Sequence, residues 1–196
     1  MTVLGAYKGN VRDLAAILEG NYQNKASAAS GLYRATMPRL VAGSNIAAAT
    51  SGVAVAAPIW LQDGDIITSL TWVSGATALA TGTVQIGALY STAATPALLG
   101  ASADATSAAW AANAAKTFTL ADPVDIDESG YYWASLIVAA STVPTLVGLT
   151  AQAAAAAPVV TGDLNLAVTH GSSLTAAPAT IASPTVRTGV PLVIAR

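Results

Sequence analysis

Any imidazole chemistry in this chain must fall to His170, the only histidine in 196 residues. It stands in Thr169-His170-Gly171-Ser172-Ser173. A serine hydrolase would need it as general base, because a serine hydroxyl attacks only when a neighbouring group takes its proton. No G-x-S-x-G elbow accompanies it, and the sequence lacks the strand-to-helix alternation that such an elbow requires. His170 therefore reads as a polar loop residue. The chain has no cysteine, so thiolate catalysis, disulfides and cysteine zinc sites are all excluded.

The acidic cluster Asp122, Asp125, Asp127, Glu128 is the sharpest local feature. Asp125-Ile126-Asp127-Glu128-Ser129-Gly130 matches the first half of a calcium loop. The twelfth position of such a loop must be a bidentate carboxylate, and here it is Leu136. The expectation is a tight turn in which Asp and Ser bond their own backbone and Gly130 supplies a positive φ. Asp63 and Asp65 read the same way around Gly64. Gly82 to Gly87 has neither the lysine nor the following helix of a phosphate loop. No catalytic, cofactor or metal site is expected.

The aromatics Trp60, Trp72, Trp110, Tyr131, Tyr132 and Trp133 are the remaining chemical resource. Trp72 sits on a presumed core face. Tyr131 and Trp133 share the face opposite Tyr132, which makes Trp110, Tyr131 and Trp133 candidates for glycan or subunit contact, with core packing as the plainer alternative.

The elements that must position these residues come in two styles. In the first, Asn10 can cap a helix starting at Val11, and Asp13 lies in its first turn, where a carboxylate favours the positive helix end. Val11, Leu14 and Leu18, with Ile17 beside them, form an apolar stripe, and Gly20-Asn21 is a stop signal. About ten residues of helix is too short to stand alone in water. Val11, Leu14, Ile17, Leu18 and Arg12 are therefore candidates for docking on a partner, with packing against the chain's own sandwich as the alternative. Residues 1–30 are expected to form this arm and its linker, and residues 31–196 a single domain.

After the linker the apolar period changes to two. Strands are expected over 33–41, with Pro38 at an edge, and over 52–60. Further strands fall near 66–72, where Ile66, Leu70 and Trp72 face inward, at 84–90 and at 116–120. The run 131–139 is apolar on both faces, so it is either a central strand or one covered by a partner. The last strands are 146–150 and 186–194, the latter broken at Pro191. The Ala-rich stretches 101–115 and 151–157 read as loops. The fold class expected is all-β, an antiparallel jelly-roll-like sandwich of roughly eight strands behind a short helical arm.

Charged residues make up 9% of the chain and the net charge is −2. That leaves no basic footprint for nucleic acid and no polybasic membrane patch. Hydrophobic residues reach 54% and mean hydropathy is +0.57. The excess is mostly alanine broken by Gly, Pro, Ser and Thr, so no membrane insertion is expected. Lys8, Arg12, Lys25, Arg34 and Arg39 crowd the front of the chain. A neutral Ala/Ser/Thr/Gly surface suits burial against other subunits.

The stretch Phe118-Thr119-Leu120, Pro123-Val124-Asp125-Ile126, Gly130-Tyr131-Tyr132-Trp133-Ala134-Ser135-Leu136-Ile137-Val138 and Pro144-Thr145-Leu146-Val147-Gly148, behind a terminal helix and linker, resembles the β-sandwich virion surface proteins of tailed actinobacterial phages. These are head decoration or fibre proteins and minor tail proteins. The resemblance covers roughly residues 33–196 and carries no catalytic residues. It implies a non-enzymatic component of the virion surface, multimeric and plausibly trimeric, with capsid or tail proteins as partners.

Overall fold

A computed structural model describes residues 34–106 and 108–196. The expected helix with Val11, Arg12, Leu14, Ile17 and Leu18 lies outside the described residues.

The fold is an antiparallel β-sandwich. Its strands are β1 (Arg34–Ala35), β2 (Ser44–Ile46), β3 (Ala54–Leu61), β4 (Ile66–Val73), β5 (Ala80–Tyr90), β6 (Leu98–Ala101), β7 (Ala115–Asp125), β8 (Gly130–Thr142), β9 (Leu146–Thr150), β10 (Val168–His170), β11 (Thr185–Val186), β12 (Gly189–Pro191) and β13 (Val193–Ala195). One layer is a six-stranded sheet of order β11-β10-β3-β8-β5-β6. The other holds β1-β13-β4-β7, and the small sheet β12-β9-β2 joins it through the single bridge Ser74–Leu146. Consecutive long strands alternate between the layers from β3 to β5 and again from β7 to β9, as in a jelly roll.

Period-two patterning explains the core between the layers. Ile59, Leu61, Leu89, Ala134, Leu136 and Val138 from the six-stranded sheet meet Leu70, Trp72, Phe118, Leu120 and Val193 from the other layer. Gly87 is a glycine because a Cβ there would stand 2.7 Å from the Phe118 side chain.

The run over 131–139 is indeed a central strand, β8, and its second face is also covered. Ile137, Val84, Ile86, Tyr90 and Trp133 lie on that outer face under Leu174, Ala177 and Ile181. The covering segment, 171–184, is laced down by backbone bonds from Leu174 N to Gly52 O, Leu98 N to Ala179 O and Ile181 N to Pro96 O. The Tyr90 hydroxyl donates to Pro178 O at 2.9 Å. The chain thus supplies its own cover, where a partner was the alternative.

Several boundaries differ from the sequence expectation. In β4 the register slips between Ile67 and Ser69. This bulge turns Ile67 inward and leaves Ile66 exposed, because one extra residue reverses the alternation. The Thr68 and Ser69 amides both donate to Arg196 O, so the chain's last residue caps the bulge. The expected first strand shrinks to Arg34–Ala35, and Arg39–Val41 forms a 3-10 turn with Leu40 standing 74% exposed. The expected closing strand is three pieces. β12 pairs with β9, and β13 pairs with β4 and β1, so the chain changes sheets just after Pro191. Ala153–Ala156 forms one helical turn, α1, within a stretch expected to be loop.

Candidate functional site

His170 is not in a loop. It ends β10, pairs with Ala54, and is 3% exposed. Its Nε2 shares a 3.1 Å hydrogen bond with the Ser135 hydroxyl, and Ser135 is itself fully buried on β8. The Tyr90 ring stands edge-on to the imidazole, 5.8 Å between centroids. Burial penalises the charged imidazolium, which pushes its pKa down to about 4. The pair has the atoms of a serine–histidine couple, with both residues enclosed between the strands and the covering segment. It is a packing device that lets β10 and β8 bury a polar group in each strand.

The acidic cluster is only partly a turn: Asp122 and Asp125 belong to β7, and Asp127 and Glu128 lie in the turn before β8. Asp122, Asp125, Asp127 and Glu128 are exposed. The turn before β8 is tied to the turn before β4: Gly64 N donates to Ile126 O, Ile126 N to Asp65 O, and Asp63 N to Ser129 Oγ. Gly64 has φ +84°, as its turn requires, but Gly130 is not among the positive-φ residues. Gly130 is extended in β8, where a Cβ would come 3.0 Å from Thr92. Among the described residues no group of three or more His, Asp or Glu side chains is placed to hold a metal ion. Asp65 is more than a turn residue. It is buried and takes a bidentate pair from Arg34, both contacts 2.8 Å. This clamps β1 to the start of β4.

Lys116, expected only as part of a strand, reaches inward. Its Nζ donates to Gln85 Oε1 and to Ala108 O and lies about 5.7 Å from the Trp110 ring centroid. Burial lowers its pKa.

The aromatic candidates separate cleanly. Trp110 and Trp133 are 2% and 7% exposed, so neither offers a ring face to a ligand. Trp110 packs edge-on against Phe118 and donates from Nε1 to Ala114 O. Trp133 does share the outer face with Tyr131, but the covering segment closes over it. Tyr131 lies past the end of that cover and is 50% exposed. Directly opposite it in the β3–β8 register stands Trp60, 44% exposed, with ring centroids 5.0 Å apart at 73°.

The pair lies in an open groove of about 830 Å³. The groove exists because β10 pairs with β3 only as far as Ala56, leaving Pro58 and Trp60 beyond its reach. The chain from 155 to 166, which includes Asp163, Asn165 and Leu166, forms the facing wall. Asp163 Oδ2 accepts from the Val159 and Val160 amides and so holds that wall in shape. Neither a known protein family nor any characterised protein matches this chain in sequence. The groove therefore has to be read from its own chemistry. Trp60 was visible in the sequence as an aromatic, but only the strand register shows that it pairs with Tyr131. Among the described residues no helix is long and apolar enough to cross a membrane.

Proposed function

We propose that the chain is a non-enzymatic structural protein of a phage virion surface, a capsid decoration or head-fibre protein anchored by its N-terminal arm and assembled as a homo-oligomer. The supporting observation is the character of the surface. Leu40, Val159 and Val160 are 74%, 70% and 64% exposed, and Leu149, Leu164, Leu166 and Val186 are each over 40% exposed, on a chain with only 9% charged residues. Large aliphatic groups on a nearly uncharged surface favour burial against other protein, at roughly 25 cal/mol per Å² of apolar area covered. In this reading residues 1–30, which carry Lys8, Arg12 and Lys25, make the contact with the shell, and the Arg34–Asp65 clamp ties the chain that follows them to the sandwich. Co-sedimentation with purified capsids tests this. The full chain is expected to pellet with capsids and a variant lacking residues 1–30 to stay in solution. Equal binding by both would remove the arm from the account.

A second reading, a minor tail or receptor-binding module that holds a host glycan, is favoured by one observation: the exposed Trp60–Tyr131 pair in its groove.

A further inference from the structure

We infer that the groove at Trp60 and Tyr131 is a binding site for a neutral saccharide, with Asn165 as a polar contact on its wall. This rests on the glycan-recognition reading and gives it a site and a ligand class. Both aromatic residues sit on the two central strands β3 and β8, so the rings are carried by rigid backbone rather than by loops. Their edge-to-face packing at 73° leaves two ring surfaces meeting at a corner. A pyranose presents an apolar C–H face that stacks on one such ring while its rim of hydroxyls stays polar.

The charge of the groove selects among ligands. Among the described residues no lysine or arginine lines it, and the one carboxylate that does, Asp163, is engaged by two backbone amides. An anionic sugar, a phosphate or a nucleic acid would find no counter-charge there. A saccharide needs acceptors for its hydroxyls. Asn165 lines the wall, and its side-chain amide is an uncharged polar group of the kind that exchanges hydrogen bonds with hydroxyls. The volume, about 830 Å³, falls in the range of small-molecule sites.

Tryptophan fluorescence with iodide as quencher reads this site selectively, since Trp72, Trp110 and Trp133 are buried and Trp60 is not. The probes are cellobiose, maltose, lactose, diacetylchitobiose and their longer homologues, followed by an array of neutral glycans. At least one saccharide is expected to shield Trp60 from iodide. Its binding should weaken by roughly tenfold or more in Trp60→Ala and in Tyr131→Ala, as for truncation of a central aromatic contact. Thermal melts confirm that both variants fold, and Asn165→Leu serves as a third variant that leaves the aromatics in place. Glycan binding unaffected by all three variants would overturn the site while sparing the glycan-recognition reading. No shielding and a silent array would overturn both. Shielding that rises with protein concentration alone would mean a second copy covers the groove, and the inference fails.

Discussion

Replacing His170 with glutamine should flatten the acid sensitivity of the fold. In the folded chain the imidazole is enclosed among Ser135, Tyr90 and Ala54, and burial holds its pKa at about 4. In the unfolded chain it returns to about 6.5. Below pH 6.5 the unfolded chain therefore takes up a proton that the fold refuses. The stability due to the neutral histidine is fully present above pH 6.5 and is lost as pH falls towards 4. At about 1.4 kcal/mol per pH unit the whole loss is about 3 kcal/mol, of which about 2.5 kcal/mol has gone by pH 4.5. His170→Gln keeps a partner for the Ser135 hydroxyl and does not titrate. Urea unfolding at pH 7.5 and 4.5 should show a fall in stability larger in the wild type than in the variant by about 2–3 kcal/mol. Equal falls in the two proteins, or an NMR titration of His170 with a midpoint near 6.5, would refute the reasoning.

Four further substitutions probe the packing of the sandwich. Asp65→Asn breaks the partly buried clamp on Arg34 and should cost about 1–3 kcal/mol; Arg34→Ala should cost a similar amount, and the double variant less than the sum, by chemical denaturation. Gly148→Ala would place a Cβ 2.1 Å from Val190 O, forcing β9 and β12 apart, with an expected loss of at least about 2 kcal/mol and faster amide exchange at Val190. Tyr90→Phe removes the hydroxyl that holds Pro178 and should cost about 1 kcal/mol. In that variant hydrogen exchange should rise at Leu98 and Ile181, whose amides bond across the lower edge of the covering segment. Unchanged exchange there would mean the segment is held without Tyr90.

Strand positions were legible in β5, where the residue spacing from Thr83 to Tyr90 assigns faces in a pleated strand, and in β8, where a long run apolar on both faces marks a strand covered on both sides. Legibility failed where a tertiary event interrupts the period. The bulge at Thr68 exchanged the roles of Ile66 and Ile67, and nothing local marks it, since its cap is the carbonyl of Arg196. The apolar outer face of β8 signalled a cover but not its source, which lies about forty residues downstream in a Thr/Ala/Pro stretch with no regular pattern. Trp110, Tyr131 and Trp133 were indistinguishable as aromatics. Their different fates depend on where the cover ends and on the β3–β8 register. Trp60 joined the site for the same reason.

The proposed place of the chain in a virion head is decided by electron microscopy of tailed particles labelled with gold-conjugated antibody against residues 34–196. Gold distributed over the head shell, many copies per particle, is the predicted result. Gold confined to the tail tip, or particles that carry no label, would contradict it.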